Sequence, residues 1–302
     1  METIEYAVSQ GVGTLTLNRP KRKNAIDAVM RKELGDLIAT MPKQRDLRAL
    51  IITGAGATFC AGGDISAMGE ATLSAQDGRE RMRFDYLSWI ETLLRLEVPV
   101  IAAVEGAAYG AGFSLALTAD IVLAAPDSRF CLSFMRLGLV PDCAVLYTLP
   151  RIVGVQRAKE LAFSARELNA QQAHELGIVL EVTPQGRTLE RAQQMANCLA
   201  QAAPAALAMT KRAFNVSLNS SLDAMMDIES SAQAVARLST SRGVRTLRGK
   251  SKQIVARRQK LPEIAQAEPA TQSVCQPSNS ARRVTTHCAS ATFTPTSATV
   301  NP

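Results

Sequence analysis

The stretch from Val98 to Ala125 constrains the fold of this chain more than any other segment. It is strongly apolar, but glycines, a proline and two acidic residues interrupt it, so it lacks the roughly 20 consecutive apolar residues of a membrane helix. The pattern instead predicts a buried strand over Val98–Val104, a glycine-rich turn, a helix from Gly112 and a second strand over Asp120–Ala125. We therefore expect an α/β protein that has no membrane partner.

The same alternation of strand and helix patterns continues on either side of this stretch. On the N-terminal side it predicts strands over Ile4–Val8, Val12–Leu17 and Leu47–Thr53, and helices over Asp27–Thr40 and Gly78–Leu96. From Gln156 onward it predicts one strand, Ile178–Val182, and helices over Gln156–Phe163, Ala170–Glu175, Thr188–Gln201, Pro204–Ser217, Ser221–Arg237 and a short segment after Gly243. An α/β core followed by a C-terminal helical region is the expected architecture.

Three regions follow from this reading: a core over residues 1–200, a helical region over 201–262 and a tail over 263–302. The amphipathic helices of the second region must cover their apolar faces, either on the core or on a neighbouring subunit. Beyond Gln266 the chain is rich in serine, threonine, proline and alanine and has a single acidic residue. Such a composition cannot bury enough apolar surface to fold, so we predict a disordered tail.

Charge and cysteine content exclude several functional classes. The formal net charge of +7 is spread over Lys21–Lys23 and a cluster from Arg242 to Lys260 without interleaved aromatic residues, which favours small phosphates over nucleic acid as partners. The six cysteines are irregularly spaced and the chain has only two histidines, so neither a metal site nor a disulfide framework is expected. Met1–Val8 has no secretory pattern, and we expect a cytoplasmic protein.

Two glycine-rich segments, Phe59–Ile65 and Gly106–Gly112, each follow a predicted strand and precede a predicted helix. Backbone N–H groups at such positions are unpaired and lie at the positive end of a helix dipole. One donor from each loop could form an oxyanion hole. Taken singly, each loop is equally compatible with glycines that only permit tight turns and close packing.

Both loops resemble the crotonase (enoyl-CoA hydratase/isomerase) superfamily, whose motifs match Phe59–Ile65 and Pro99–Gly112. The resemblance covers about residues 2 to 260. Further matching segments are Leu17–Pro20 with Asn24–Ala25, Ala119–Ile121, Gly138–Asp142 and Leu149–Gly154.

This resemblance implies a crotonase-like spiral of repeated ββα units with a C-terminal helical region, assembled as a homotrimer or homohexamer. It also implies an acyl-CoA substrate, with coenzyme A as part of that substrate and no separate cofactor. Carried over by position, the two backbone donors to the thioester oxygen would be Ala61 and Ala111. Negative charge grows on that oxygen in the transition state, and the fixed dipoles of the two N–H groups would stabilise it.

The resemblance also assigns residues to substrate binding. An apolar acyl pocket would include Phe134 with Leu132, Met135 and Met68, although these residues are equally compatible with a place in the core. For the basic segment Lys21–Ala25 the structural alternative is a solvated surface turn, and for Asp64 it is the ordering of its own loop. The full set of positions assigned to coenzyme A or the acyl group is Lys21, Arg22, Asn24, Ala25, Gly63, Asp64, Ile65, Met68, Gly110, Phe134 and Pro141.

The catalytic acids of the family's hydratases are missing. Ser114 and Phe134 occupy the two positions where those enzymes carry glutamates, whereas Asp142 matches an acid of several isomerases in the family. Capping of a helix N-terminus is the structural alternative for Asp142. Ser114 has no histidine partner that could make it a nucleophile.

An enoyl-CoA isomerase of the Δ3-Δ2 type, with Asp142 as the proton shuttle, is thus the leading hypothesis. The alternatives are an enoyl-CoA hydratase of fatty-acid or aromatic degradation, an aryl-CoA dehalogenase-like enzyme, and a member that binds acyl-CoA without turnover.

Overall fold

A six-stranded sheet forms the centre of the molecule, with the strand order β1-β2-β3-β4-β6-β9. Its first two strands form an antiparallel hairpin, and the turn residues Gln10 and Gly11 both have positive φ. All later strand pairings in this sheet are parallel. The strands are β1 (Ile4–Ser9), β2 (Val12–Leu17), β3 (Ala49–Gly54), β4 (Val100–Val104), β6 (Ile121–Ala124) and β9 (Glu181–Val182).

A second, three-stranded sheet has the order β5-β7-β8 and was not predicted. It consists of β5 (Ala107–Tyr109), β7 (Arg129–Cys131) and β8 (Leu168–Asn169). Strands of two or three residues are too short to show a period-two pattern, so they escape a reading of the sequence.

The computed structural model of the chain describes residues 1–67 and 74–247, and residues 239–247 by their backbone alone. Met68 and the predicted tail therefore lie outside the described residues, and the predicted region boundaries stay predictions. None of the described helices is long and apolar enough to cross a membrane.

The predicted helices of the core are present. The predicted helix Gly78–Leu96 is divided into two α-helical parts by a π-helical turn at Met82–Tyr86. The helix whose N-terminus was expected at Asp142 begins three residues later and covers Val145–Val153. The core helices are α1 (Ala28–Thr40), α2 (Ala75–Arg81), α3 (Leu87–Arg95), α4 (Ala111–Ala116), α5 (Val145–Val153), α6 (Val155–Ser164), α7 (Ala170–Glu175) and α8 (Thr188–Ala200).

Two further helices, α9 (Pro204–Ser217) and α10 (Leu222–Leu247), follow the core. Helix α9 is tied to the core by the Lys211 ammonium, which donates to Asp120 Oδ2 at 2.7 Å and to the Val98 carbonyl at 3.0 Å. Large apolar side chains on these helices stay exposed, among them Phe214 at 74%. The homotrimer or homohexamer stays a prediction, supported by these uncovered apolar groups.

Candidate active site

The two glycine-rich loops are hydrogen-bonded to each other. Cys60 N–H donates to the Ala107 carbonyl at 2.9 Å, and Tyr109 N–H donates to the Cys60 carbonyl at 2.9 Å. The approach is close because Gly112 carries no side chain: a Cβ at that position would lie 2.3 Å from the Cys60 carbonyl oxygen. The glycines thus permit close packing, and that packing brings both loops to one place.

The first loop is also paired with the segment that precedes α1. Ala61 N–H donates to the Lys23 carbonyl at 3.0 Å, Ile26 N–H donates to the Gly62 carbonyl at 2.8 Å, and Asp64 N–H donates to the Ile26 carbonyl at 3.0 Å. These bonds form a short parallel ladder along the loop.

This ladder corrects the prediction that Ala61 is an oxyanion donor, because its amide is already bonded to Lys23. Among the described residues, the Gly63 amide has no acceptor, so Gly63 replaces Ala61 as the candidate donor of the first loop. Sequence reasoning had given Gly63 only a role in binding coenzyme A.

Ala111, the second predicted donor, stays a candidate. Ala111 is the first residue of α4, and its amide has no acceptor among the residues that the structure describes. A Cβ built on Gly62 would lie 3.4 Å from Ala111 N, so the backbone just before Gly63 lies beside this amide. Two unpaired N–H groups from adjacent loops are what an oxyanion hole requires.

Asp142 lies in the turn that leads into α5. The next two residues, Cys143 and Ala144, both have left-handed backbone conformations, with φ of 53° and 64°. Helix α5 begins at Val145 with Ala144 as its N-cap residue, and no side chain caps it. The capping alternative for Asp142 is therefore wrong, and its carboxylate is free for another role.

The Asp142 carboxylate is held in an unusual environment. Its Oδ1 atom is buried and has no hydrogen-bond partner. Burial raises the pKa of Asp142, and a hydrogen bond from the Cys143 thiol opposes this in part. Burial in the first place, and the neighbouring Asp142 carboxylate in addition, raise the pKa of the Cys143 thiol, so this thiol stays protonated. A half-buried carboxylate with one unpartnered oxygen and a raised pKa is suited to act as a general base.

Ser114 and Phe134 occupy the remaining positions of interest. The Ser114 side chain is fully buried, and its hydroxyl donates to the Gly110 carbonyl at 3.3 Å. Phe134 is 6% exposed, and its Cζ lies 4.0 Å from where a Gly110 Cβ would be. The phenylalanine thus packs against the second loop, next to the candidate donor Ala111, and Pro141 is buried beside Asp142 in sequence.

The residues assigned to coenzyme A divide into two groups. Lys21 and Arg22 are exposed, and Ile65 is 60% exposed, so all three can meet a ligand. Asn24 cannot, because it is fully buried and its amide donates to the Ala55 carbonyl at 2.9 Å and to the Thr58 carbonyl at 2.6 Å. The assignment of Asn24 to coenzyme A binding therefore stays a prediction that its side chain does not support.

Ala25 is 9% exposed and belongs with the buried group. Asp64 orders its own loop, since it accepts hydrogen bonds from the Ser66 hydroxyl at 2.6 Å and from Arg19 at 3.1 Å. The Ser66 bond in the first place, and Arg19 in addition, lower the pKa of Asp64. Arg19 itself was missed by sequence reasoning, because its partners lie up to 45 residues away.

The described residues contain no cluster of three or more histidine, cysteine, aspartate or glutamate side chains that could hold a metal ion. The chemistry that these residues offer is proton transfer at Asp142 and hydrogen-bond donation by the unpaired amides of Gly63 and Ala111.

Comparisons with known proteins identify the family. Residues 7–250 match the family model of enoyl-CoA hydratase/isomerase. The chain is 40% identical to the 1,2-epoxyphenylacetyl-CoA isomerase of Escherichia coli K12 over 78% of this chain and 90% of that protein. It is 44% identical to an enoyl-CoA hydratase/isomerase of Cupriavidus metallidurans CH34, whose crystal structure matches with a TM-score of 0.73 over 78% of this chain and 88% of that one.

A third similar protein, from Thermobifida fusca YX, is described as an enoyl-CoA hydratase and was solved in complex with CoA. It is 30% identical and matches with a TM-score of 0.74 over 80% of this chain and 95% of its own.

Proposed function

The chain belongs to the enoyl-CoA hydratase/isomerase family, and from this premise we propose that it isomerises an unsaturated acyl-CoA thioester with Asp142 as the proton-transferring group. The predicted α/β fold with C-terminal helices is confirmed by its solved relatives. The observation that carries the proposal is the buried Oδ1 atom of Asp142, which has no hydrogen-bond partner among the described residues.

The proposed reaction needs one base and one oxyanion site. Asp142 removes a proton from C2 of a 3-enoyl thioester, and negative charge develops on the thioester oxygen. The amides of Gly63 and Ala111 stabilise that charge as hydrogen-bond donors. The protonated Asp142 then returns the proton at C4, so the double bond moves from the 3,4 to the 2,3 position and the carboxylate is regenerated.

Hydration would require a second proton-transferring group to activate water. Ser114 is fully buried and its hydroxyl is bonded to the Gly110 carbonyl, while Phe134 is apolar and packs against the same loop. Neither residue can activate water, which favours isomerisation over hydration.

A ring-containing substrate is a second candidate, because a relative with 40% identity is named a 1,2-epoxyphenylacetyl-CoA isomerase. Like the shift of a double bond, such an isomerisation adds no water.

The test is to incubate the protein with 2-enoyl, 3-enoyl and aromatic-ring CoA esters in ¹⁸O-water and to separate the products by chromatography with mass spectrometry. We expect rearranged products without added water or label. Water uptake would establish a hydratase, and label incorporated into Asp142 would indicate a nucleophilic, dehalogenase-like route. Binding without any product would indicate a member that only binds acyl-CoA.

The exposed side chains of Lys21 and Arg22 are proposed to meet the phosphates of coenzyme A. The double variant Lys21→Ala/Arg22→Ala should raise the Kd for an acyl-CoA about tenfold, since exposed charge pairs contribute up to about 1 kcal/mol each. Titration calorimetry at low and high salt measures this, and the salt dependence should weaken in the variant.

Lys43 provides the matched control. It is an exposed lysine on the connection that enters β3, at the opposite end of the parallel strands from the glycine loops. Lys43→Ala should leave the Kd unchanged, and an equal loss in both variants would show that only overall charge matters.

A further inference from the structure

Arg19 follows β2 and makes three contacts through its guanidinium group. Nη2 lies 3.0 Å from Asp27 Oδ2, Nη1 lies 3.1 Å from Asp64 Oδ2, and Nη1 also donates to the Ala25 carbonyl at 2.5 Å. The arginine side chain is only 17% exposed, and those of Asp27 and Asp64 are 24% and 11% exposed. One side chain therefore holds two carboxylates and a backbone carbonyl in a partly buried cluster.

Each partner of Arg19 lies at an end of the ladder that pairs the first glycine loop with the segment before α1. Asp64 directly follows Gly63, and Ala25 directly precedes Ile26, the residue that pairs with Gly62 and Asp64. Asp27 directly follows Ile26 and caps α1, because its Oδ1 accepts from Met30 N–H at 2.8 Å. The guanidinium thus fixes both strands of the ladder relative to each other.

The ladder determines where the Gly63 amide points. The Gly62–Gly63 peptide bond is trans and planar, so the Gly62 carbonyl and the Gly63 N–H point in opposite directions. Ile26 N–H donates to that carbonyl at 2.8 Å, which turns the Gly63 N–H away from Ile26. Two successive glycines have no side chains to restrict this peptide unit, so its orientation depends on the flanking contacts.

We propose that Arg19 is a positioning residue for the oxyanion site, which orients the Gly63 amide by clamping Asp64, Ala25 and Asp27 around the ladder. This inference rests on the proposed function, because it assumes that the Gly63 amide binds a thioester oxygen. Lysine could not replace Arg19, since a single ammonium lacks the planar fork of donors that reaches both carboxylates.

The test compares Arg19→Ala and Arg19→Lys with Asp64→Asn, which removes one arm of the clamp and keeps the side-chain shape. The control is Arg191→Ala, which breaks another partly buried ion pair, to Glu181 at 2.9 Å, on α8 and β9. The probe is trans-2-hexenoyl-CoA labelled with ¹³C at its thioester carbonyl. Infrared difference spectra of the bound probe report how strongly the oxygen is hydrogen-bonded.

In both Arg19 variants and in Asp64→Asn, we expect the carbonyl band of the bound probe to move back toward its frequency in water. The kcat of these variants should be lowered about 10-fold to 100-fold, and the Kd for the probe should be nearly unchanged. Arg191→Ala should lower only the melting temperature. An unshifted carbonyl band in Asp64→Asn and the Arg19 variants would overturn the positioning role. Failure of the unmodified protein to bind the probe would instead refute the proposed function, and the inference with it.

Discussion

Replacement of Asp142 by asparagine is expected to lower the isomerisation rate constant by about 10²-fold to 10⁴-fold, the usual contribution of a positioned general base. Asparagine keeps the size of the side chain and removes its ability to take up a proton. Affinity for the acyl-CoA should change little, because the oxyanion donors and the phosphate-binding side chains are untouched. Steady-state kinetics and binding titration on the same preparation measure both quantities.

The pH dependence of the unmodified enzyme provides a second readout. Asp142 must be ionised to act as a base, and burial raises its pKa. Activity should therefore fall on acidification at a pH above about 3.9, the ordinary value for aspartate. This loss should be absent from the residual activity of Asp142→Asn.

The same substitution should stabilise the fold at neutral pH. Because the folded-state pKa of Asp142 is raised, the folded protein binds the proton more tightly than the unfolded chain, and stability decreases as pH rises through this range. Asp142→Asn removes that penalty, so its melting temperature should exceed that of the unmodified protein at neutral pH. The difference should shrink as the pH falls toward the ordinary pKa of aspartate.

Asp127→Asn serves as the control. Asp127 is an exposed carboxylate, so this substitution should change neither the isomerisation rate nor the melting temperature. A folded Asp142→Asn protein that retains more than a tenth of the isomerase activity would contradict the assignment of the base.

The second large effect concerns Gly112. An alanine Cβ at this position would lie 2.3 Å from the Cys60 carbonyl oxygen and 2.7 Å from the Cys60 Cβ, so the two loops would have to move apart. We expect Gly112→Ala to lower the free energy of unfolding by about 3 kcal/mol, at the upper end of typical overpacking. Activity should be lost as well, because the amides of Gly63 and Ala111 would no longer converge.

Gly78→Ala is the matched control for a glycine in a helix. A Cβ there meets no described atom within 4 Å. Because alanine favours helix more than glycine does, this variant should be more stable by about 0.5–1 kcal/mol with unchanged kcat. Urea unfolding of both variants measures the difference. Equal stabilities for Gly112→Ala and Gly78→Ala would show that the loops are not closely packed.

The sequence was sufficient to locate the site but not to identify all of its atoms. The glycine loops and Asp142 were found because residue type and order are visible in the sequence. The sequence does not show whether Ala61 or Gly63 has the unpaired amide. That depends on which amide pairs with the carbonyl of Lys23, which lies 38 positions before Ala61. Which N–H stays unpaired is decided by tertiary pairing.

Asn24 illustrates the same limit for a side chain. It follows three basic residues in a polar turn, which predicts exposure, yet its amide is needed to bond the carbonyls that leave β3. The bounds of helix α5 were not predicted, because Pro150 lies inside it and interrupts the helical pattern. The overall α/β alternation was predicted well, because apolar residues recur at a clear spacing along strands and amphipathic helices.

The proposed oxyanion hole draws on three separate stretches of the chain: the segment from Arg19 to Asp27, the first glycine loop and the second glycine loop. No short fragment contains all three, so the hole cannot form locally during synthesis. It is completed only when the second loop has emerged and β4 has paired with β3, well after the hairpin of β1 and β2 can form. A nascent or truncated chain could therefore reach native-like secondary structure long before it acquires catalytic competence.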